Sequence, residues 1–326
     1  MKLRHLTFRL LEVFTQVIKT GSISEAARQL HLTQPTVSLQ LKRLSEAIGE
    51  PLLEIDRQGI RLTDTGQIVY AAALDMLGRV DDLQDQLHSI QAGQHGRFSI
   101  AMVNTAQYVL PRLLGPYSKT FPDVDLTLEI GNREQVLQRF NQQLDDIYIF
   151  SHPPALDHAA AARFLRNPLV IIAAANHPLA QAPEVCLNDL LKERFLLREP
   201  GSATRMLFDG WLQTQGLQLN RSLQMASNEA IRVGVAAGMG IAVISRHVIP
   251  SGATGLVELT VPGFALESHW HFIVRRDRRL PHAARRFLQF ADAELENCLD
   301  PAYVCHETDQ LLMTLAMPLE GEQVSA

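Results

Sequence analysis

At 326 residues the chain is long for one hydrophobic core and suits two or more domains. Its composition, 46% hydrophobic and 20% charged, is that of an ordinary globular protein, and a net charge of −5 excludes nucleic-acid binding by bulk positive charge. Cys186, Cys298 and Cys305 fit no disulfide or CxxC framework, Lys2, Arg4 and Arg9 interrupt any signal-peptide run, and no span approaches the ~20 apolar residues of a membrane helix, so a reducing cytoplasm is expected.

Phe8, Leu11, Val13, Phe14, Val17 and Ile18 recur at helical spacing and mark a first helix ending near Thr20-Gly21. Ser22 and Glu25 form an S-x-x-E capping pattern that opens a second helix over Ile23 to Leu30. After the turn at His31-Leu32, Thr33 caps a third helix with Pro35 in its first turn, where a missing N–H is tolerated. That helix turns Val37, Leu41, Leu44 and Ile48 inward and leaves Gln34, Thr36, Ser38, Gln40 and Lys42 outside. Two short helices with a polar second face are a helix-turn-helix pattern, since Gln reads an adenine edge and Ser or Thr takes base or phosphate. A plain three-helix bundle is the alternative on this segment alone. Pro51 to Glu54 and Arg61 to Thr63 then read as the two sides of a hairpin around Asp56 to Gly59. Such a wing would carry Arg57 and Arg61 to the phosphate backbone or minor groove. Through Gly66, nine Lys/Arg oppose seven Asp/Glu, a small positive balance in a chain that is otherwise acidic.

The run Ser22-Ile23-Ser24-Glu25-Ala26-Ala27-Arg28-Gln29-Leu30-His31-Leu32-Thr33-Gln34-Pro35-Thr36-Val37-Ser38 resembles the N-terminal signature of the LysR-type regulators. So do Pro51-Leu52-Leu53-Glu54 and Leu62-Thr63-Asp64-Thr65-Gly66, with Leu53 where the family usually has Phe and Ile55 where it often has Arg. The resemblance implies a winged helix-turn-helix over residues 1–64 that contacts double-stranded DNA through Thr33, Gln34, Pro35, Thr36, Ser38, Gln40, Lys42, Arg57 and Arg61.

From Thr65 to Gln91 there is no proline, and Val69, Ala73, Met76, Val80, Leu83, Leu87 and Ile90 recur at alternating steps of four and three. Sustained over about three heptads, that is a coiled-coil seam and predicts a dimerisation helix over residues 65–92. Packing on the chain's own domain is the alternative, opposed by the narrow apolar face. A dimer carries two recognition helices and implies an inverted-repeat operator. Gln91 to Gly96 reads as a hinge.

Beyond it, extended and helical runs alternate. Strands are predicted at Arg97–Val103, Val124–Ile130, Ile147–Phe150, Leu169–Ala174, Phe195–Leu197, Ile241–Ile244 and Trp270–Val274, with helices at Leu110–Phe121 and Gln135–Leu144. The alternation predicts α/β structure with largely parallel sheets. About two hundred residues suit two small lobes with a ligand between them, the periplasmic-binding-protein-like architecture that the resemblance also implies. The expected effector domain covers 97–299, with lobe I at 97–165 and 265–299, lobe II at 166–264, and a tail at 300–326. The fold class expected is thus α plus α/β.

Four loops have the placement of ligand loops, at strand ends and helix starts where free N–H groups favour anions. They are Asn104-Thr105, Gly131 to Glu134, Arg198 to Arg205 and Ser227 to Glu229. Family resemblance makes Thr105, Asn132, Ser202, Thr204 and Asn228 ligand contacts, while Arg133 and Arg205 have the chemistry of an anion clamp. Thr105, Ser202 and Ser227 have a second reading as helix N-caps. The segments Asn104 to Tyr108, Glu129 to Glu134, Asp145 to Ile149, Leu197 to Ser202, Ser227 to Ile231, Gly238 to Ile241 and Ser245 to His247 resemble the CbbR-type regulators of RuBisCO and Calvin-cycle operons. That resemblance implies a small anionic effector, a sugar phosphate or carboxylate. It also implies a homodimer paired into a homotetramer, contact with RNA polymerase, and activation as the regulatory outcome.

An enzyme or a metal protein is the rival class. His269 and His271 share one strand face, but no Cys, Asp or Glu at ligand spacing accompanies them. Gly238-Met239-Gly240 lacks the third glycine of a dinucleotide fingerprint, and neither a Walker A motif nor a G-x-S-x-G elbow occurs. A transported-solute receptor would share the two lobes but requires an export signal. No cofactor, metal, catalytic residue or membrane contact is expected. His306 to Met317 reads as a short amphipathic helix without an assigned role.

Overall fold

In a computed structural model of the chain the described residues are 6–56, 59–90, 95–153, 155, 158–250 and 255–316. Arg57 of the expected wing tip lies outside them. The chain divides into two compact units, one built mainly from the residues up to Gly96 together with Arg275–His282, the other from Arg97–Val274 and the segment that begins at Ala283.

The first unit opens with α1 (Phe8–Thr20), capped by Thr7, whose Oγ1 accepts from the Leu10 N–H at 3.3 Å. Gly21 ends it at φ 63°, a left-handed conformation that a side chain would strain. α2 (Ile23–Gln29) and α3 (Gln34–Ile48) follow, capped by Ser22 and Thr33, and Gly49 closes α3 at φ 95°. Only half of the expected capping box forms. Ser22 Oγ accepts from the Glu25 N–H at 3.3 Å, but the Glu25 carboxylate turns to Arg28 and Gln29 instead of reaching back. The antiparallel strands β1 (Leu53–Asp56) and β2 (Gly59–Leu62) set Leu53 opposite Leu62 and Glu54 opposite Arg61.

α4 (Asp64–Ile90) runs for 27 residues. Thr63 caps it, accepting from the Gly66 N–H at 2.9 Å while its hydroxyl donates to the Pro51 carbonyl at 2.7 Å. The predicted seam divides along this helix. Val69 and Ala73 are drawn into the core of the first unit beside Leu10, Leu11, Phe14, Leu44 and Tyr70. Further along, Met76 and Leu83 are exposed, while the side chains of Leu87 and Ile90 lie outside the described set. Periodicity alone could not separate the turns that pack on their own module from the turns that stay open.

The second unit holds β3 (Gly96–Val103), α5 (Leu110–Thr120), β4 (Val124–Gly131), α6 (Arg133–Asn141), β5 (Ile147–Phe150) and β6 (Ala159–Ala174). It continues through α7 (Leu187–Leu190), β7 (Arg194–Leu197), α8 (Ala203–Thr214), β8 (Arg221–Gln224), α9 (Asn228–Ala236), β9 (Ile241–Ser245) and β10 (Leu256–Leu259). β11 (Leu266–Arg275), α10 (His282–Cys298) and α11 (Thr308–Ala316) complete it. The strands form one sheet in the order β4-β3-β5-β11-β6-β9-β7-β8, with β10 also on β6. β3 lies parallel to β5, and β7 parallel to β8 and β9, but β6, β10 and β11 run antiparallel to neighbours, so the sheet is more mixed than expected.

Two lobes follow from this path. Lobe I packs α5 and α10 on β3, where Phe98, Tyr117 and Phe287 meet with ring centroids 5.2 to 6.0 Å apart. Lobe II has a core on each face of its sheet, one around Phe195 and Phe208, the other around Ile172, Ile231 and Ile244. β6 and β11 belong to both lobes. The first ten residues of β6 escaped the sequence reading because an alanine run, two arginines and Pro168 disguise the strand. Its alternation is plain in space: Ala160, Ala162 and Phe164 are buried and Ala161 and Arg163 exposed.

A Cβ at Gly66 would lie 2.0 Å from the Leu52 carbonyl oxygen, so only glycine lets the linker helix start against the wing strand. Gly66→Ala is expected to destabilise the first unit by about 1–3 kcal/mol. The check is a thermal melt in which the transition of the first unit falls while that of the isolated second unit is unchanged.

Candidate functional site

Two surfaces carry the residues singled out in the sequence. On the first unit, Thr33, Gln34, Pro35, Ser38 and Lys42 are exposed along α3, and Thr36 and Gln40 are partly exposed beside them. The opposite stripe, Val37, Leu44 and Ala47, is buried. Thr33 Oγ1 caps the helix and lies 2.8 Å from Thr36 Oγ1, so both hydroxyls are held at the first turn. Ser24 of α2 donates to Gln34 Oε1 at 3.3 Å, which orients the Gln34 amide from the preceding helix. Arg61 is exposed on β2. The face therefore presents amide, hydroxyl and ammonium groups on one rigid helix, the chemistry that reads base edges and phosphates.

A cavity of about 570 Å³ lies next to this face between α3 and β1, walled by Leu41, Leu52, Leu53 and Ile55. Lys42 on its wall is offset by Glu46 and Glu50, and no set of donors converges there. Although it is the roomier space, it lacks the polar convergence of a metabolite site.

That convergence occurs between the lobes of the second unit. Asn104, Thr105, Asn132, Arg133 and His152 from lobe I face Arg198, Glu199 and Ser202 from lobe II across a cleft of about 20 Å³. Two helix N-termini end on it. Asn132 caps α6 in a full capping box, accepting from the Gln135 N–H at 2.8 Å while Gln135 Oε1 accepts from the Asn132 N–H at 2.8 Å. Ser202 caps α8, accepting from the Arg205 N–H at 3.2 Å. Both ends point partial positive charge at the same space. Arg133 Nε donates to the His152 carbonyl at 3.4 Å, and burial holds the guanidinium below its ordinary value. Burial, and then the Arg133 charge, push the His152 imidazole below the usual histidine range.

The sequence reading placed Arg198 at the start of a ligand loop but gave it no role of its own; it is 4% exposed and lines the cleft. Its Nε and Nη2 donate to the two Glu199 carboxylate oxygens at 2.8 Å, and Nη1 donates to Asn228 Oδ1 at 2.5 Å. The signal was present, an arginine at a strand end, but nothing in a linear sequence marks the asparagine thirty residues on that holds it. The contact with Arg198 makes the oxygen of Asn228 the acceptor, so the buried Nδ2 is the end without a partner. Asn228 and Thr204 are buried and do not line the cleft. Nor does Arg205, whose Nε donates to Asp209 Oδ2 at 2.6 Å one turn along α8. A residue three places past a helix cap points around the barrel of the helix, and the i, i+4 pair with Asp209 claims it. Thus Thr105, Asn132, Arg133 and Ser202 are brought together, and Thr204, Arg205 and Asn228 stand behind or beside them. Ser227 is an N-cap, accepting from the Ala230 N–H at 3.3 Å.

Residues 8–67 match the model of the bacterial regulatory helix-turn-helix proteins of the lysR family, and residues 91–296 match the LysR substrate binding domain. The chain belongs to the LysR family. As a LysR-type protein it is a DNA-binding transcription regulator, with α1 to α3 as the DNA-binding module, α4 as the linker helix and the two-lobed unit as the effector domain. The transcriptional activator CmpR of Synechocystis sp. PCC 6803 is 38% identical over 296 residues, covering 90% of this chain and 97% of that one. A RuBisCO operon transcriptional regulator of Acidithiobacillus ferrooxidans is 35% identical, covering 91% of this chain and 98% of its own. Among solved structures, the regulatory domain of CcmR from Synechocystis PCC6803 in complex with 2-PG is 33% identical and superimposes with a TM-score of 0.57. It covers 63% of this LysR-family chain and 98% of that structure. Among the described residues no group of three or more His, Cys, Asp or Glu side chains could hold a metal ion, and no helix is long and apolar enough to cross a membrane.

Asn228→Ala is expected to leave Arg198 Nη1 buried without its acceptor and to lower the stability of the effector domain by about 1–3 kcal/mol. Urea unfolding of the domain checks it, and a midpoint within error of wild type would show that the contact holds nothing.

Proposed function

We propose that this LysR-type regulator controls carbon-fixation genes in response to a small anionic metabolite held between the lobes of its effector domain. The observation that carries the reading is the cleft itself: Arg133 and Arg198 with one carboxylate, Glu199, and two helix N-termini facing the same space. The fixed side-chain charges sum to one positive, and the helix ends add to it. A phosphate or carboxylate is the group such a site stabilises. Relatives that regulate the RuBisCO operon and a relative solved with 2-PG support the same class of target and effector.

In this reading Thr105, Asn132, Arg133 and Ser202 contact the effector, Arg198 adds charge from the floor, and Asn228 positions Arg198. Thr204 and Arg205 act from the second rank, through the start of α8. The exposed apolar side chains on α4, Met76 and Leu83, are the surface for a homodimer, and two such dimers form a tetramer on an inverted repeat. Effector binding shifts the arrangement of lobes or subunits, changing DNA bending or contact with RNA polymerase, with activation as the outcome. A ligand moves such an equilibrium only by its preference for one state, typically about 1–3 kcal/mol.

The deciding experiment is a DNase footprint of the full-length protein on carbon-fixation promoters and on the promoter beside its own gene, with and without 2-PG and ribulose bisphosphate. Expected is a protected inverted repeat whose edges shift with one of them. Protection that responds to neither, or only at promoters of other operons, would transfer the regulator to a different metabolic circuit.

Gln34→Ala and Ser38→Ala should each lose about 1–3 kcal/mol of discrimination at one base pair per half-site. Competition binding against operators substituted base by base measures it, and unchanged preferences in both variants would remove α3 as the reading element.

The pH dependence follows from His152. Burial, and then the Arg133 charge, hold its imidazole below the ordinary histidine value. An anion bound beside it raises that value, so binding takes up a proton. Effector affinity should therefore strengthen as pH falls from about 7 toward 5. Calorimetry in two buffers of different ionisation enthalpy would detect the proton, and His152→Gln should abolish the trend.

A further inference from the structure

The family's effector-domain match ends at residue 296, yet the chain continues through a folded segment. Asp300 turns the chain, its Oδ1 accepting from the Ala302 N–H at 3.0 Å, and the segment then lies along β6. Val304 bridges Leu165 in antiparallel register, and the Cys305 N–H donates to the Phe164 carbonyl at 3.0 Å. Glu307 grips Arg163 at both ends, accepting from its backbone N–H at 3.1 Å and from its Nε at 2.8 Å. α11 packs on β6 with Thr308 and Leu311 buried, and Arg285 of α10 donates to the Leu315 carbonyl at 3.1 Å. All of these anchors lie on lobe I.

Tyr303 reaches the other lobe. Arg246 Nη1, just past β9, donates to the Tyr303 hydroxyl at 3.1 Å, and the His247 ring meets the Tyr303 ring edge-on at 5.3 Å. His247 Nε2 is 2.8 Å from the Arg166 carbonyl, in the stretch of β6 where the strand leaves lobe I for lobe II. Arg246 is tied further into lobe II through Glu258 of β10 at 3.2 Å. The segment therefore touches both lobes and the strand between them.

We propose that residues 300–316 form a strap across the hinge, which holds the lobes in the closed arrangement and sets how readily the cleft opens. The consequence for ligand entry rests on the proposed role of the cleft as the effector site. A cleft of about 20 Å³ has room for a water-sized group, so a metabolite enters only after the lobes part. The strap's contact to lobe II must then be released or stretched at each entry. Its strength is a handle on the fraction of molecules competent to bind.

Tyr303→Phe removes the hydroxyl alone and keeps the ring on His247, and Glu307→Gln weakens the lobe I anchor without touching the buried face of α11. In the effector-free, full-length protein, hydrogen exchange at the amides of Phe164, Leu165, Asn167 and Ser268 is expected to quicken about two- to tenfold in each variant, while amides of α5 and α8 keep their wild-type rates. Unchanged hinge exchange, or a uniform increase throughout the domain, would overturn the strap. In the same variants the association rate of 2-PG is expected to rise with the hinge exchange. Quickened exchange with an unchanged association rate would overturn the coupling to entry. A wild-type protein that binds no 2-PG would instead tell against that anion as effector, with the exchange result still deciding the strap.

Discussion

Asn167 is 2% exposed and lies where β6 crosses between the lobes. Its Nδ2 donates to Ser268 Oγ of β11 at 2.8 Å, and its Oδ1 accepts from Ser245 Oγ of β9 at 2.6 Å. A buried amide must find partners for both ends, and here the partners sit on the two strands that flank the crossing. Sliding β6 by one residue against either neighbour would strand donors and acceptors in an apolar surrounding. The knot thus fixes the register of strands shared by both lobes, with the Arg166–Glu267 ion pair at 2.7 Å on the adjacent surface. Pro168 follows at once and contributes no donor to the ladder, so the crossing is held by side chains where backbone bonding is thinnest.

The geometry of the cleft descends from that crossing. Lobe I contributes the end of β3 and the start of α6, lobe II the end of β7 and the start of α8, and continuous strands dictate how these ends face each other. A hinge of this kind permits bending but little independent sliding. Charge is distributed to suit. Arg133 stands on the side of one lobe and Arg198 is sunk in the other, already satisfied by Glu199 and Asn228. In the proposed function, an arriving anion would meet a guanidinium fixed in place, which lowers the ordering entropy that binding must offset. The neighbouring carboxylate tempers the attraction, which suits a sensor that must release its ligand as well as hold it.

The DNA-binding unit follows a different logic. Its small core is completed by the first turns of α4, with Tyr70 edge-on to Phe14 at a centroid distance of 6.1 Å, so the linker helix is part of the module it emerges from. A rotation of α4 is therefore a rotation of the recognition helix.

Much of this was legible in the residues alone. Caps and breakers placed α1 to α3 within a residue or so, because Ser22, Thr33 and Gly21 act locally, through hydrogen bonds and φ angles that depend on near neighbours. The signature around Ser22 to Ser38 and the strand-helix alternation after Arg97 conveyed the family and the two-lobed class, since periodicity and motif spacing survive in one dimension. The loops of the cleft were also visible, because a polar turn after an apolar strand marks a helix start. What could not be read are matters of direction and distance. Whether Val69 and Ala73 face a partner or their own core, whether Arg205 points to the cleft or to Asp209, and that Asn228 supports Arg198 are decided by packing of segments far apart in sequence. The same holds for the first half of β6, for β8 and β10, and for the residues after Asp300. Their place comes from pairing with distant strands, and pairing is a property of the folded chain that no local pattern carries.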